Sequence, residues 1–267
     1  MERVFRLHVL ASGSSGNASI VEDTNTGKGV LIDCGISKRA FLEGCAATGF
    51  DPSGLEAVVV THEHADHVKG LGVVMRGLSK LGHRPPLYAP AACVSASKAL
   101  SDLGSDFEMR SFSDADQISA AGMSIHPFRT AHDAAASFGF RFECGGDALG
   151  FATDTGMVSP QVREALGDVR ILGLEANHGL KMLDAADYPA YVKSRIASDR
   201  GHLNNDQSAS ALRTLLCPRL EAVAALHVSE NANTYRAARE ALSGVVQQEG
   251  HHASVQVGYQ RRPILVG

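Results

Sequence analysis

The hexapeptide H-E-H-A-D-H at residues 62–67 places three imidazoles and two carboxylates directly after a short apolar run. His62 and His64 lie two residues apart and can face one ion, whereas Asp66 and His67 can face a second. Imidazole and carboxylate together suit zinc, manganese or iron(II) better than calcium or magnesium, because hard cations rarely bind histidine nitrogen. The spacing therefore predicts a catalytic site for two metal ions.

Polar side chains also stand where several strands are predicted to end. These residues are Asp33, His62, Asp154, Glu175 and His227. Rigid strands fix the position of such side chains and the loops that follow give access to them, so residues at strand ends converge on one rim. A histidine-rich surface loop can also bind metal adventitiously, but five polar strand ends favour a built site.

Apolar runs and turn signals predict the elements that position these residues. The first sixty residues are rich in strands, and the helix predicted over residues 37–47 begins after Ser37 and stops at Gly49. Single helices are predicted over residues 68–81 and 90–103, and strands followed by helices recur in the second half. This pattern favours an α/β fold in which two mixed β-sheets pack face to face with helices outside, an αββα sandwich. Periodicity alone also fits a doubly wound sheet.

Composition narrows the class of protein. The chain has 267 residues, 44% of them hydrophobic, and no linker or low-complexity tract, so we expect one domain over residues 1–267. It has no secretory signal, no apolar stretch of the ~20 residues that a membrane span needs, and five scattered cysteines, which predict a cytoplasmic protein with no membrane partner. The net charge of -4 argues against a protein that coats nucleic acid, but not against a nuclease that holds phosphate through metal ions.

The order of these polar residues resembles that of the metallo-β-lactamase-fold hydrolases. Their signature is an Asp after an early strand, an H-x-H-x-D-H cluster, and then a His, an Asp and a last His. The matching residues here are Asp33, the cluster at residues 62–67, His132, Asp154 and His227. The resemblance implies a first ion on His62, His64 and His132, a second on Asp66, His67 and His227, Asp154 as a bridge between them, and Asp33 ordering the cluster from behind.

Longer segments resemble the YycJ/WalJ family within that superfamily. They are L-A-S-G-S-S-G-N at residues 10–17, L-I-D-C-G at 31–35, L-E-A-N-H at 174–178, G-H-L-N-N at 201–205 and H-V-S-E-N at 227–231. Members are regarded as DNA exonucleases related to the tRNA-processing endonuclease ribonuclease Z. In that relative a Glu supports a His that protonates the leaving oxygen, and the matching residues are Glu175 and His202.

The chemistry implied by these residues is hydrolysis of a phosphodiester. Two ions that share a water lower its pKa toward ~7 and aim the resulting hydroxide at phosphorus. The departing alkoxide needs a proton, which His202 held by Glu175 can supply near neutral pH. The expected catalytic residues are therefore Asp66, Glu175 and His202.

Two further features have alternative interpretations. Ser14, Ser15, Gly16 and Asn17 form either a phosphate-binding loop, since successive backbone N–H groups bind anions, or simply a tight turn. His178 is either a partner of the site residues or a surface histidine.

The favoured function is a metal-dependent phosphodiesterase, most specifically a DNA exonuclease with two zinc or manganese ions and a nucleic acid substrate. The first alternative is a small-molecule hydrolase of the same fold that acts on a cyclic phosphodiester, a thioester or a lactone. The second alternative is a metal-stabilised binding module without catalysis. The bridging Asp and the candidate general acid argue against this alternative.

Overall fold

Two seven-stranded β-sheets face each other in the computed structural model, which describes residues 3–267. The first sheet contains β1 (Phe5–Ala11), β2 (Ala18–Asp23), β3 (Lys28–Ile32), β4 (Leu55–Val59), β5 (Leu87–Pro90), β6 (Met109–Phe112) and β14 (Ile264–Val266). The second contains β7 (Ile118–Ala120), β8 (Met123–Arg129), β9 (Phe138–Cys144), β10 (Asp147–Ala152), β11 (Ile171–Glu175), β12 (Ala222–Leu226) and β13 (Ser254–Val257). Their spatial orders are β14-β1-β2-β3-β4-β5-β6 and β13-β12-β11-β10-β9-β8-β7.

Each sheet is mixed. Strands β3 to β6 run parallel to one another, as do β10 to β13, whereas the remaining neighbours pair antiparallel. Parallel neighbours end at the same edge of a sheet, so each sheet presents the carboxyl ends of four strands on one side.

Among residues 3–267 there are ten α-helices, and all but the seventh and eighth pack on the outer face of a sheet. They are α1 (Lys38–Thr48), α2 (Ala65–Val68), α3 (Leu71–Lys80), α4 (Ala91–Ala96), α5 (Lys98–Asp106), α6 (Pro160–Leu166), α7 (Leu180–Ala185), α8 (Ala190–Ile196), α9 (Asn205–Leu215) and α10 (Tyr235–Gln248). Helix α1 begins and ends as the sequence predicts. The Ser37 hydroxyl accepts a hydrogen bond from the amide of Ala40, and Gly49 takes a left-handed backbone with φ 80°.

Three apolar layers follow from the alternation of side chains along the strands. In β3, Val30 and Ile32 point between the sheets, whereas Leu31 points to the helices outside. Phe140 and Phe142 are fully buried between the sheets, and burying such a side chain contributes about 1.5–3 kcal/mol. The αββα sandwich predicted from the sequence is thus confirmed, and the doubly wound alternative is wrong.

Two helix predictions need correction. The helix predicted over residues 68–81 is broken at Gly70, where a Cβ atom would lie 1.9 Å from the carbonyl oxygen of Ile36, so α2 and α3 are separate. The helix predicted over residues 90–103 is also two helices. Ser97 leaves the helical conformation (φ -118°, ψ 113°) and its hydroxyl caps the start of α5.

The strands that the sequence pattern did not predict are the four at the sheet edges, β6, β7, β13 and β14. Edge strands are half exposed and short, so they lack the continuous apolar runs by which central strands are recognised. Helix α7 was also not predicted. Among residues 3–267, no helix has the length and the apolar character that crossing a bilayer requires.

Candidate metal centre

The predicted site residues meet at the edge where the parallel strands of both sheets end. They are Asp33 after β3, His62, His64, Asp66 and His67 after β4, His132 after β8, Asp154 after β10, Glu175 at the end of β11, His202 before α9 and His227 after β12. The first sheet supplies one compact cluster and the second supplies single residues from separate loops.

Three of these residues have an unusual backbone conformation. Asp33, Asp154 and His227 have φ of 56°, 55° and 53°, in the left-handed region that side chains disfavour by about 1–3 kcal/mol. Hydrogen bonds hold the turns in place: the amide of Asp33 donates to the carbonyl of Val59 at 2.9 Å, and the amide of His227 donates to the Ser12 hydroxyl at 2.7 Å. Three of the five non-glycine residues with positive φ among residues 3–267 thus belong to the site.

Asp33 orients His67 from behind. Its Oδ2 atom lies 2.7 Å from Nδ1 of His67 and accepts a hydrogen bond from the Thr61 hydroxyl, while Oδ1 accepts one from the Thr61 amide. Because a carboxylate only accepts, Nδ1 of His67 donates and Nε2 faces the centre. Burial lowers the pKa of His67, but the carboxylates of Asp154 and Asp33 outweigh burial and hold that pKa well above its usual range.

Potential ligand atoms gather in four overlapping groups, each with all atoms within 4.8 Å of one another. Two groups are the predicted ligand sets, His62, His64 and His132, and Asp66, His67 and His227. The other two share Asp154 and are His62, His67 and Asp154, and Asp154, Glu175, His202 and His227.

Asp154 lies between the two predicted sets. Its Oδ2 is 3.4 Å from Nε2 of His67, and its Oδ1 is 3.4 Å from Nε2 of His227 and 3.8 Å from Nε2 of His132. The carboxylate therefore reaches residues of both sets, as a bridging position requires.

Several atoms at the centre are buried without a hydrogen-bond partner among the described residues. They include Nε2 of His62, Oδ2 of Asp154 and Nε2 of His227. A buried polar atom without a partner costs about 1–3 kcal/mol, so such atoms rarely gather unless something else satisfies them. Lone pairs of imidazole and carboxylate that converge in this way fit divalent cations.

The protonation states of His62 and Asp154 suit metal binding directly. Burial, followed by the neighbouring His67, lowers the pKa of His62 well below its usual range, so this imidazole is neutral. Burial raises the pKa of Asp154, but the adjacent His227 and His67 outweigh burial and hold that pKa well below its usual range. Neutral imidazole and ionised carboxylate are the forms that bind metal. Burial lowers the pKa of His67 and His227, but the neighbouring carboxylates outweigh burial and raise the pKa of His67 well above its usual range and that of His227 to about 10. A metal ion would therefore displace a proton from each of these two imidazoles.

Glu175 and His202 form a buried pair beside these groups. Oε1 of Glu175 lies 2.8 Å from Nδ1 of His202, and Oε2 accepts hydrogen bonds from the amides of Thr155 and Leu203. Burial raises the pKa of Glu175, but the neighbouring His202 outweighs it and sets that pKa at about 2. Since the ionised carboxylate accepts a hydrogen bond from Nδ1 of His202, the Nε2 atom of His202 is left to face a reactant.

The structure adds contacts that the sequence pattern did not predict. Oε1 of Glu175 also lies 3.3 Å from Nδ1 of His227, so one carboxylate touches both the candidate general acid and a predicted ligand. Nδ2 of Asn177 donates to the carbonyl of His227 at 2.8 Å, and Oε1 of Glu63 accepts the amide of Ala135 in the loop that carries His132. Asn177 lies inside the L-E-A-N-H segment at residues 174–178, and this segment is the sequence signal by which Asn177 could have been found.

Hydrogen bonds to neighbouring residues hold the Gly/Ser loop at residues 14–17 in place. The amides of Ser15, Gly16 and Asn17 donate to Oε1 of Gln260, to the carbonyl of Gly13 and to the carbonyl of Asp66, respectively. These three amides are therefore engaged in holding a tight turn. The phosphate-loop prediction now depends on Ser14, which lines the cavity described below.

His178 is not a surface histidine. Its side chain is fully buried, and burial lowers its pKa to about 4, so the imidazole is neutral. Its backbone carbonyl accepts the amide of Asn205, which ties the loop after β11 to the start of α9.

A cavity of about 230 Å³ opens over the centre. Six of the lining residues are predicted site residues, namely His64, Asp66, His132, Asp154, His202 and His227. The others are Ser14, Asn177, Ser229, Tyr188, Val192, Arg195 and Ile196. A molecule in this cavity would therefore contact the predicted ligands and His202 together.

Comparisons with known proteins agree with this geometry. Residues 28–228 match the family model described as Beta-lactamase superfamily domain. The chain is 31% identical to exodeoxyribonuclease YycJ of Bacillus anthracis over 242 residues, which cover 91% of this chain and 89% of that protein. It is 32% identical to exodeoxyribonuclease WalJ of Streptococcus pneumoniae over 86% of this chain and 83% of that protein.

A solved structure shows the same fold. The metallo-beta-lactamase fold protein YhfI from Bacillus subtilis superposes with a TM-score of 0.73 and 16% identity, covering 98% of both chains. With the matching family model and two relatives that span most of the chain, this places the protein among the metal-dependent hydrolases of the metallo-β-lactamase superfamily, in the YycJ/WalJ family.

Proposed function

We propose that the chain is a two-metal phosphodiesterase that removes nucleotides from DNA ends. The observation that carries the proposal is the buried Glu175–His202 pair, 2.8 Å apart, at the rim of the metal-ligand groups. A phosphodiester needs a proton donor for its departing alkoxide, whereas a structural metal site has no use for one. The names of the relatives favour DNA as the substrate, and the protein would act in the cytoplasm as one domain over residues 1–267.

The residues that would hold the ions are those that the structure groups. His62, His64 and His132 would bind one ion, Asp66, His67 and His227 the other, and Asp154 both. When bound, zinc or manganese ions at this place would activate a water and neutralise charge on the phosphate.

Side chains of the protein have the remaining roles, which are to orient the ligands, to protonate the leaving oxygen and to orient the attacking water. Asp33 keeps Nε2 of His67 directed at the centre through its 2.7 Å contact with Nδ1. Glu175 stays ionised and accepts a hydrogen bond from Nδ1 of His202, which directs Nε2 at the leaving oxygen. The doubly protonated imidazole would pass its Nε2 proton to that oxygen and keep the proton on Nδ1. Asp66 lines the cavity and can orient the attacking water as well as bind an ion.

One observation favours a second candidate, a small-molecule hydrolase of the same fold. The cavity of about 230 Å³ is small, and Arg195 is the one lysine or arginine among the residues that line it. A cyclic phosphodiester, a thioester or a lactone would fit such a site without a long basic groove.

Digestion of end-labelled single- and double-stranded DNA separates these candidates. Wild type loaded with zinc or with manganese should release nucleotides, and His202→Ala should not, although both proteins bind the same amount of metal. The same digests with labelled RNA and with a small phosphodiester set the substrate class. If the loaded wild type leaves every labelled nucleic acid intact yet hydrolyses the small ester, the second candidate replaces the first.

A further inference from the structure

We propose that Tyr188 and Arg195 bind the end of a single DNA strand, the tyrosine ring by stacking on the terminal base and the guanidinium by binding a phosphate. This inference rests on the proposed function, since it names the form of DNA that the same cavity accepts. The two residues belong to the part of the cavity lining that comes from α8 and the residues just before it, which we call the α8 wall: Tyr188, Val192, Arg195 and Ile196.

The α8 wall is tied to the residues that would do the chemistry. The amide of His202 donates to the carbonyl of Ile196 at 2.9 Å. A Cβ atom on Gly201 would lie 2.2 Å from the carbonyl oxygens of Arg195 and Ile196, so the chain between α8 and His202 packs too closely for any side chain there. A base held on this wall would therefore lie in a fixed relation to His202.

Tyr188 is positioned as a stacking surface. Its ring is half-buried, and its hydroxyl accepts a hydrogen bond from Nδ2 of Asn231 at 2.9 Å. Asn231 belongs to the same loop as His227, so the ring is fixed relative to a predicted ligand. An aromatic ring held in this way stacks on a base without losing much conformational freedom.

Arg195 offers donors for a phosphate beside the centre. Its Nε lies 2.8 Å from Oδ2 of Asp133, and Oδ1 of Asp133 lies 3.3 Å from Nε2 of His132, a predicted ligand. Neither Nη atom of Arg195 donates a hydrogen bond to any of residues 3–267. A guanidinium keeps these donors in a rigid fork that suits phosphate, so Arg195 can bind one without leaving Asp133.

The composition of the α8 wall favours a single strand over a duplex. Val192, Ile196 and the Tyr188 ring present apolar surface to the cavity, and one arginine supplies the positive charge. Duplex binding depends on many phosphate contacts from lysine and arginine, whereas an aromatic surface with few basic groups is the pattern of single-strand binding. The net charge of -4 points the same way.

The test measures binding of a fluorescein-labelled single-stranded oligonucleotide to metal-loaded protein by anisotropy, in a His202→Ala background that prevents cleavage. We expect Tyr188→Leu to raise Kd about tenfold or more, as loss of one base–aromatic stack does. Tyr188→Phe, which keeps the ring and loses only the bond to Asn231, should raise Kd clearly less. Arg195→Met should raise Kd and reduce the slope of log Kd against log salt by about 0.7, the value for one single-strand phosphate contact. Tyr188→Leu should leave that slope unchanged.

Two matched controls lie on the same helix. Tyr191 is 75% exposed and Lys193 carries a charge, and neither lines the cavity. Tyr191→Leu and Lys193→Met should therefore bind the oligonucleotide as the parent protein does, and circular dichroism should show that all variants are folded.

Failure of the inference and failure of the proposed function give different results. If wild type cleaves DNA but Tyr188→Leu and Arg195→Met bind the single strand as tightly as their controls, the inference falls and the proposed function stands. A blunt duplex bound more tightly than the single strand would also overturn the inference alone. If wild type cleaves no DNA, the proposed function falls and the inference falls with it.

Discussion

Charged side chains join the two sheets at both ends of β10, but their polar atoms are satisfied differently. At the start of the strand, Oδ2 of Asp147 accepts the amides of Val4 and Phe5 at 2.9 and 3.0 Å, and Arg170 donates to it at 2.7 Å. After the end of the strand, Oδ2 of Asp154 is buried with no hydrogen-bond partner among the described residues. One end of β10 is thus a saturated ion pair and the other a gathering of unpaired atoms.

This difference separates a structural role from a functional one. Buried charges that find all their partners within the chain hold the fold in one arrangement, and nothing remains to bind a ligand. Buried lone pairs that converge without donors raise the free energy of the protein until a cation satisfies them. Burial and charge alone would not distinguish Asp147 from Asp154, because both are almost fully buried.

The largest expected effect comes from Asp154→Ala. Because its carboxylate reaches both predicted ligand sets, we expect kcat to fall at least about 10³-fold, equivalent to about 4 kcal/mol of transition-state stabilisation. Metal per chain, measured by plasma mass spectrometry, should also fall. The free energy of unfolding of the metal-free protein should fall only modestly, since Oδ2 of Asp154 has no hydrogen bond and its carboxylate makes only 3.4 Å contacts with His67 and His227.

Asp168→Ala is the matched control for this variant. Asp168 also has a left-handed backbone, with φ 51°, but it is exposed and lies outside the site. It therefore reproduces the backbone effect of replacing such an Asp by Ala and should keep full metal content and turnover. An Asp154→Ala protein that retained two metals and wild-type turnover would contradict the role assigned to that residue.

His202→Ala should have the next largest effect and should distinguish the proton donor of the site from its metal ligands. Its Nδ1 is held by Glu175 and its Nε2 faces the cavity, so its loss should lower kcat by about 10²–10⁴-fold, as loss of a general acid does. Metal content should stay at the wild-type value, unlike that of Asp154→Ala. Loss of metal from His202→Ala would make His202 a ligand rather than a proton donor. His126→Ala, at a partly exposed histidine of β8 outside the site, serves as the control for both measurements.

Asp147→Ala should reverse the pattern of Asp154→Ala. The change leaves the Arg170 guanidinium buried without its main partner, and breaking such a pair costs about 3–5 kcal/mol. We therefore expect the midpoint of urea unfolding to fall sharply while kcat of the folded protein stays unchanged. If stability is unaffected, or if metal is lost while the protein remains folded, the saturated end of β10 is not the purely structural joint described above.

The two ends of β10 also show why the sequence predicts the metal-ligand site but not the Asp147–Arg170 pair. The cluster at residues 62–67 is contiguous, so its chemistry is visible in the order of residue types, and Asp154 and His227 were found because each follows an apolar strand. The Asp147–Arg170 pair joins residues 23 apart and pairs with the start of the chain, which no periodicity reports.

A helix near residues 188–198 was predicted from the sequence, but its place beside the cavity was not. Tyr188 and Arg195 belong to a segment with one buried apolar residue, Leu183, among residues 180–196. The position of this weakly anchored segment over the centre depends on contacts with distant loops, such as the Asn231 bond to Tyr188. The central strands of both sheets were predicted because burial on both faces makes them continuous apolar runs.

The smallest expected effect is on the pH dependence of stability at the saturated end. Burial raises the pKa of Asp147, but hydrogen bonds from Arg170 and from the amides of Phe5 and Val4 outweigh burial and lower that pKa below its usual value. A carboxylate whose pKa is lowered by folding stabilises the protein above its unfolded pKa of about 3.9, and this stabilisation is lost as pH falls through the folded pKa. We expect the difference in unfolding free energy between metal-free wild type and Asp147→Asn to be constant near neutral pH and to shrink below about pH 4.

Using metal-free protein and a difference between two variants removes the titration of the site histidines, which both proteins share. A difference that stays constant down to the lowest pH at which both proteins fold would show that Asp147 does not gain its stability as an ionised partner of Arg170.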